Sequence, residues 1–218
     1  MSLELDHVFV FVSEGAPEAD ILSKFGLLEG EPNVHPGQGT SNRRFFFRNM
    51  MLELLWVSNP EEVKSELTKP TMFWERWNGR NRGASPFGII LRSPKEEVPF
   101  DAWEYKPNYL PDGLSFLVGK NSETLNEPII FRMPFGDRPD ILKKNQPLRN
   151  QPGFGKVTSL CMKMPQTPSE HSVLETIGCL EGISFEESEN HVMEIGFDGE
   201  VCGKSKSFHP ELPLVLKW

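Results

Sequence analysis

The stretch LDHVFVF at residues 5–11 decides the fold of this chain, together with FGLLEG at residues 25–30 and MLELLW at residues 51–56. Further along, a second set of segments repeats the design: VTSLCM at residues 157–162, IGCLEG at residues 177–182 and VMEIGF at residues 192–197. His7 lies 19 residues before Gly26 (26 − 7), and Ser159 lies 19 residues before Gly178 (178 − 159). Each copy therefore predicts a strand, a helix that ends at glycine, and a later strand with a glutamate near its centre.

The first copy predicts its own elements. Residues 3–12 form an almost continuous apolar run, which is typical of a central strand covered on both faces. A helix is expected to begin near Pro17, because proline suits the first helical turn, and to end before Gly26. Residues 43–47 and 50–57 are expected to form strands joined by a short turn at residues 48–49. In the second copy, Thr167 to Glu170 has the spacing of a helix capping box.

A segment of different character separates the two copies. Residues 60–77 predict a helix, and residues 86–93, 114–120 and 128–134 predict strands. The many prolines of this segment favour a rigid, wrapped insertion over a flexible tether. The predicted domains are a first module at residues 1–59, an insertion at 60–155, which could itself be a divergent module, and a second module with a C-terminal strand at 156–218.

Bulk composition excludes several classes of protein. The chain of 218 residues has a formal net charge of −8 and a pI near 5.2, which argues against a general nucleic-acid binder. The apolar surroundings of Cys161 and Cys179 predict buried thiols and a reducing compartment, so we expect a cytoplasmic protein. No apolar run approaches the roughly 20 residues of a membrane span, so no membrane association is expected.

Three side chains are candidate metal ligands. His7 lies within an apolar strand, where its imidazole needs a hydrogen bond or a metal, although a hydrogen-bonded core histidine is the ordinary alternative. Glu53 is flanked by apolar residues, so its carboxylate must be paired, protonated or metal-bound. Its competing partners are Arg43, Arg44 and Arg48, and Glu194 repeats the pattern in the second copy. One histidine and two carboxylates suit Mn, Fe, Ni or Zn.

These motifs resemble the vicinal oxygen chelate superfamily, the glyoxalase-like proteins. The resemblance rests on Leu5-Asp6-His7, on Leu52-Glu53-Leu54 and on the stretch GTSNRRFFF at residues 39–47. It implies an α+β fold in which paired βαβββ modules form an open, cup-shaped mixed sheet. It also implies a divalent metal bound by the first and fourth strands of each module, with His7, Glu53 and Glu194 as ligands. The remaining ligand position falls on Ser159, which departs from the pattern and speaks against a metal.

The partner of the first module is left open by the sequence. We place residues 157–197 there because their helix and spacing match those of the first module. In the alternative, the segment that starts with the strand at residues 87–91 is the facing module. Glu194 would then lie outside the site, and Gly88-Ile89-Ile90 would supply no ligand.

Other side chains could shape a site. Arg43 and Arg44 are strand neighbours, so one should point inward and could hold a substrate carboxylate or phosphate. An ion pair between that arginine and Glu53 is equally compatible with the sequence. Residues 103–111 are rich in aromatic residues and proline, which suits either a pocket wall or a filled gap over the sheet. His35 lies in a loop from which it could reach the cup as an acid or base.

The sequence supports two hypotheses of function. In the first, the chain is a metal-dependent enzyme of the lyase, isomerase or dioxygenase type, with Glu53 as the catalytic carboxylate, acting on a small oxygen-rich metabolite. In the second, the cup has lost its metal and binds a small molecule without catalysis. Similar proteins are often dimers, so a homodimer is expected as a possible assembly.

Overall fold

The structure, a computed structural model, describes residues 3–93, 97–142, 146–166, 168 and 172–218. The strands are β1 Glu4–Phe11, β2 Asn33–His35, β3 Thr40–Phe46, β4 Met51–Val57, β5 Phe87–Arg92, β6 Ala102–Tyr105, β7 Phe116–Gly119, β8 Ile129–Met133, β9 Val157–Met164, β10 Ile183–Glu187, β11 Val192–Phe197, β12 Ser205–Ser207 and β13 Leu214–Lys217. The α-helices are α1 Ala19–Phe25, α2 Pro60–Val63, α3 Phe73–Gly79 and α4 Val173–Gly178.

Eight strands form a strongly curled, open mixed sheet, so the predicted glyoxalase-like fold class is confirmed. Their order is β2-β3-β4-β1-β5-β8-β7-β6. Read from the centre outward, one half has the order β1-β4-β3-β2 and the other has the equivalent order β5-β8-β7-β6. β1 pairs with β4 in parallel and with β5 in antiparallel, and β5 pairs with β8 in parallel. The two halves meet at the β1–β5 pair, on either side of a pseudo-twofold axis.

The facing module is the segment at residues 87–133, which is the alternative left open by the sequence. Strands β9 to β13 form a separate sheet in the order β10-β9-β11-β13-β12. Our preferred pairing of residues 157–197 with the first module was therefore wrong. The repeat in the sequence is real at the level of strand, helix and strand, but spacing does not encode which strand edges hydrogen-bond.

The strand alternation of β1 separates two cores. Val8 and Val10 belong to a core that also contains Leu160 and Met193 of the second sheet. Phe9 and Phe11 point to the opposite, concave face, where they pack against Phe73 of α3. The second sheet thus covers one face of the curled sheet, and α3 packs against part of the opposite, concave face. A near-continuous apolar β1 is the expected result of burial on both faces.

Local signals in the first module were accurate. α1 ends at Gly26, which has a left-handed φ of 105° and donates its backbone N–H to carbonyls of the last helical turn. β3 and β4 form the predicted hairpin.

In the second copy, the capping box at Thr167 to Glu170 falls largely outside the described residues. The structure begins α4 at Val173, where Ser172 accepts a hydrogen bond from the Glu175 backbone N–H at 3.1 Å.

Two expectations needed correction. The helix predicted at residues 60–77 is divided into α2, a 3₁₀ turn at Lys69–Thr71 and α3. The break before α3 lies at Met72, whose left-handed φ of 56° no helix continues through. The thiols are free, but neither of the two predicted to be buried is: Cys161 is half-buried and Cys179 is exposed. Among the described residues, none of the helices has the length and apolar character to span a membrane.

Candidate functional site

A cavity of about 280 Å³ lies on the concave face of the curled sheet. Its two walls differ in chemistry. The wall formed by the first module carries the polar side chains, which are His7, Asn33, His35, Gln38, Arg44 and Glu53. The wall formed by the second half is apolar and aromatic, and consists of Ile90, Tyr109, Leu110, Phe116, Phe131, Met133 and Phe135. We call this cavity the cup.

Strand register places these side chains on one face. His7 on β1 lies opposite Met51 on β4 and Ile90 on β5, and Arg44 on β3 lies opposite Glu53 on β4. Residues directly opposite one another in neighbouring strands project from the same face of a sheet. Five residues of three different sequence segments are thereby brought to the floor of one cavity.

A β-bulge re-aims Asp6 toward His7. The pairing of β1 with β5 shifts register between Leu5 and His7, so Asp6 is the unpaired extra residue. Its Oδ1 lies 2.7 Å from the His7 Nδ1, and its Oδ2 accepts a hydrogen bond from Arg92 at 3.1 Å. The bulge also turns Leu5 to the other core, although simple alternation predicted that Leu5 shares the face of His7.

Glu53 is held from one side only. Its Oε1 accepts a hydrogen bond of 2.9 Å from the side-chain amide of Asn42, and its Oε2 lies 3.9 Å from the His7 Nε2. That distance exceeds hydrogen-bond length. His7 is therefore held through Nδ1 and Glu53 through Oε1, while the His7 Nε2 and the Glu53 Oε2 are left to face the cavity.

The electrostatics of the cup follow from burial and close charges. Burial alone would lower the pKa of His7, but the nearby charge of Glu53 and the hydrogen bond with Asp6 outweigh it, so the pKa of His7 is raised. Burial alone would raise the pKa of Asp6, but the His7 and Arg92 contacts outweigh it, so that pKa is lowered. At His35 burial dominates and lowers the pKa of its imidazole, which keeps that ring neutral.

Arg43 and Arg44 lie on opposite faces of β3, as strand neighbours should. Arg43 forms a bidentate pair with Glu29, with hydrogen bonds of 2.8 and 2.6 Å, and a further bond of 3.0 Å to Asp20. Arg44 lines the cup and donates from Nε to the Glu31 carbonyl oxygen at 2.7 Å. The structure thus brings Arg44 to the cup and holds Arg43 on the other face of the sheet.

Glu194 does not join this site. It lies on β11 of the second sheet, where its carboxylate pairs with Lys163 at 3.0 Å and with Lys217 at 2.6 Å. Ser159 lies on the same sheet, where its hydroxyl donates to Glu200 at 3.0 Å. The predicted ligand set of His7, Glu53 and Glu194 is therefore not assembled, because its third member belongs to a sheet that packs outside the cup.

The donor set in the cup does not fit a resident metal of the predicted kind. Within the described ranges, no group of three or more His, Cys, Asp and Glu side chains is arranged to hold a metal ion. Catalytic sites for Zn commonly use three protein ligands. His35 lines the cup together with His7 and Glu53, but its Nδ1 lies 2.9 Å from the Thr40 hydroxyl, and the three side chains do not form such a group. The facing strands contribute Ile90, Phe131 and Met133, which are poor or non-ligating side chains for Mn, Fe, Ni or Zn.

Several residues of the cup were not assigned from sequence. Asp6 and Asn42 hold His7 and Glu53, yet a bulge and a cross-strand contact leave no local sequence signal. His35 does reach the cup, and its ring lies 5.0 Å from that of Tyr109. Tyr109 belongs to the aromatic stretch at residues 103–111. Of the two interpretations of that stretch, the pocket wall therefore holds for Tyr109 and Leu110.

Comparisons with known proteins bear on the fold. No model of a known family and no curated protein matches the chain. A hypothetical protein from Staphylococcus aureus is similar over 99% of this chain and 98% of its own, at 12% identity and a TM-score of 0.52. A Streptomyces coelicolor methylmalonyl-CoA epimerase in complex with 2-nitronate-propionyl-CoA is similar over 63% of this chain and 100% of its own, at 13% identity and a TM-score of 0.42. The first similarity supports the fold alone, and the second is too distant to carry an argument.

Proposed function

We propose that the cup is a metal-independent site in which His7 and Glu53 move a proton on a small anionic molecule. The observation that carries this proposal is the 3.9 Å gap between the His7 Nε2 and the Glu53 Oε2. Both atoms face the cavity, and both side chains are held in place by Asp6 and Asn42. Groups held at their far atoms with their near atoms free to contact a ligand are pre-organised for acid–base chemistry.

The charges of the cup favour an anionic head group. Arg44 is cationic, and the raised pKa of His7 favours its imidazolium form. Glu53 is the carboxylate in the described lining of the cup, whereas Asp6 lies behind His7 and also pairs with Arg92. The lowered pKa of His35 keeps that side chain uncharged. A carboxylate or an enolate oxygen placed near Arg44 and His7 would therefore be stabilised by charge-assisted hydrogen bonds.

The opposite wall and the volume define the rest of the ligand. Ile90, Phe116 and Phe131 present an apolar surface that suits a short aliphatic or aromatic body. A cavity of 280 Å³ lies just below the common range of small-molecule sites, which begins at about 300 Å³. The proposed ligand is thus a small carboxylic or oxo acid with one polar end and one apolar end.

The proposed reaction is proton transfer next to a carbonyl or carboxylate. Glu53 removes the proton from the carbon, and the C–H electron pair moves to form the enolate. The imidazolium of His7 donates a hydrogen bond from Nε2 to the enolate oxygen, while Asp6 holds Nδ1 and so fixes the ring orientation. Where the enolate is conjugated with a carbon–carbon double bond, Glu53 returns the proton to the far carbon of the conjugated system, the double bond shifts and the carbonyl re-forms, which completes an isomerisation; return to the original carbon gives exchange alone. Among the predicted reaction types, this selects the isomerase type for the proposal.

Deuterium exchange tests the proposal. A panel of small branched and aromatic oxo acids is incubated in D₂O with the protein treated with chelator, and loss of the α-proton signal is followed by NMR. We expect exchange with the parent protein and a loss of at least about 100-fold in rate for Glu53→Gln, in the range found for general acid–base groups. Glu194→Gln is the matched control and should retain exchange. Exchange that survives Glu53→Gln would overturn the assignment.

The second hypothesis, ligand binding without catalysis, is favoured by one observation. The wall formed by β5 and β8 contributes apolar side chains to the cup, so half of the site has no group for chemistry. Binding of an oxo acid with no exchange of its α-proton would support this function over the enzymatic one.

A further inference from the structure

A second cavity, of about 440 Å³, lies at the carboxyl end of β1. Five separate segments meet around it. They are the chain at the end of β1 and after it, the chain after α3, the chain after β9, the turn between β10 and β11, and the chain before β13. None of the residues that line this junction cavity also lines the cup. The two sheets and α3 therefore enclose a site that is separate from the proposed catalytic one.

His191 presents an unused acceptor in the junction cavity. Its Nε2 lies 3.2 Å from the backbone carbonyl oxygen of Gly83, and a carbonyl only accepts, so Nε2 carries the hydrogen. Burial lowers the pKa of His191 despite that hydrogen bond, so the ring is neutral and Nδ1 holds a lone pair. Nδ1 is buried and has no hydrogen-bond partner among the residues that the structure describes.

Glu18 presents a second unused acceptor in the same cavity. Its Oε1 accepts a hydrogen bond of 2.9 Å from the backbone N–H of Ser13, which fixes the carboxylate. Its Oε2 is buried, and within the described ranges of the chain it has no hydrogen-bond partner. Buried polar atoms without partners are uncommon in folded proteins because each costs about 1–3 kcal/mol. Two of them on residues that line one cavity match a group that donates hydrogen bonds.

The charge of the lining favours a positive donor. The charged residues in the lining are Glu18, Arg80, Glu189 and Glu211, which carry a net formal charge of −2 when His191 and His209 are counted as neutral. Arg80 directs its NH1 to the Trp77 carbonyl oxygen at 2.5 Å. A metal ion is a poor fit, because in the described part of the chain no three ligating side chains come together.

We propose that the junction cavity binds a small organic cation with N–H donors, such as a primary amine. One ammonium hydrogen donates to the Glu18 Oε2, and a second donor on the same molecule reaches the His191 Nδ1. Ammonium groups carry three donors and no acceptor, so they match two acceptors and a negative lining. Neutral donors such as alcohols satisfy the same atoms but gain nothing from the carboxylates.

Histidine-selective NMR with putrescine as the probe tests this site. Titration should shift the ring resonances of His191 and leave those of His7 unchanged. Butanediol, a neutral molecule of similar length, should bind at least about tenfold more weakly, as expected from losing one charge-assisted contact. Equal shifts with both molecules would overturn the cationic class, and no shift of His191 with putrescine would overturn the site.

Variants separate the roles of the two acceptors. Glu18→Gln should weaken putrescine binding at least about tenfold, whereas Glu14→Gln, the same change at an exposed neighbouring position, should leave it unchanged. His191→Gln removes the Nδ1 acceptor but can still donate to Gly83, so it provides a second test should Glu18→Gln fail to fold. Binding that is unchanged in both cavity variants would overturn the proposal.

Discussion

The Nε2 of His7 and the Oε2 of Glu53 face each other at 3.9 Å across the floor of the cup. His7 comes from β1 and Glu53 from β4, which pair in parallel with Phe9 opposite Glu53. His7 thus lies two residues along β1 from the position opposite Glu53, on the same face of the sheet. This offset keeps the two side chains close but not hydrogen-bonded. Asp6 and Asn42 hold the far ends, so the gap is maintained by the surrounding hydrogen bonds.

We expect Asp6→Asn to lower the pKa of His7. Asp6 stabilises the imidazolium through a 2.7 Å contact and through its charge, and both are lost in the amide. Histidine-selective NMR titration measures the change. Glu4→Gln is the matched control, because Glu4 also pairs with Arg92, at 3.1 Å, but does not contact His7. An unchanged His7 pKa in Asp6→Asn would contradict the proposed orienting role.

The raised pKa of His7 also predicts how stability depends on pH. A group whose folded pKa lies above its unfolded value stabilises the protein fully below the unfolded pKa, about 6.5 for histidine. That contribution is lost as pH rises through the raised folded pKa. Urea unfolding at a series of pH values should therefore show that His7→Gln costs more free energy of unfolding at pH about 6 than above the folded pKa. A cost independent of pH would show that His7 is not charged in the folded protein.

Arg44→Gln should reduce the affinity for an oxo-acid ligand by about tenfold or more, because a charge-assisted contact to the head group is lost. Arg43→Gln removes the same charge at the next residue. It should leave affinity unchanged and cost about 0.2–1 kcal/mol of stability, since its pairs with Glu29 and Asp20 are partly exposed. Isothermal titration calorimetry and urea unfolding measure the two effects. Equal losses of affinity in the Arg44→Gln and Arg43→Gln variants would mean that the ligand responds to the net charge of the protein and not to a contact with Arg44.

Gly88→Ala should destabilise the fold by about 1–3 kcal/mol, as expected for an overpacked core. A Cβ at residue 88 would lie 2.1 Å from the ring of Phe9, directly opposite on β1. Gly178→Ala is the control, since its Cβ would meet Phe185 at an ordinary 3.5 Å. Phe9→Leu should recover part of the loss when combined with Gly88→Ala. Thermal unfolding of the parent, the Gly88→Ala and Phe9→Leu variants and the double variant tests the contact. Additive effects of Gly88→Ala and Phe9→Leu would argue against it.

Elemental analysis of protein purified without a histidine tag should find no stoichiometric Mn, Fe, Ni or Zn. His7, His35 and Glu53 line the cup, but no three His, Cys, Asp or Glu side chains among the described residues are arranged to hold a metal ion. Loading with each metal, followed by dialysis, extends the test. A near-stoichiometric metal that is lost in both His7→Ala and Glu53→Ala would instead support the metal-dependent enzyme predicted from the family resemblance.

Local sequence signals predicted the elements of the first module because their causes are local. Gly26 ends α1 because the left-handed backbone there favours glycine, and the apolar run of β1 reflects burial on both faces. The strands at residues 87–92, 116–119 and 129–133 also fall within their predicted ranges. β6 was missed, since its residues Ala102–Tyr105 lie in a stretch whose prolines and aromatics suit a loop equally well.

The candidate site was predicted in part. His7, Glu53 and Arg44 do meet in the cup, because each signal was a polar residue in or beside an apolar strand of one module. Glu194 carried the same signal but is satisfied by Lys163 and Lys217, which precede it by 31 residues and follow it by 23 (194 − 163 and 217 − 194). The sequence could show that a buried carboxylate needs a partner, but not which partner the fold would supply.

The sequence by itself determined that this chain forms strand–helix–strand units, since hydrophobic periodicity and helix ends are properties of short segments. The α+β, glyoxalase-like architecture was implied by the family resemblance of its motifs, and the structure confirms it. Tertiary structure alone decided which segment faces the first module and hence which side chains share the cup. It also placed the bulge that joins Asp6 to His7, and it brought Glu18 and His191 to one cavity. The physical reason is that strand pairing and register depend on the free energy of the whole sheet, to which residues far apart in sequence contribute together.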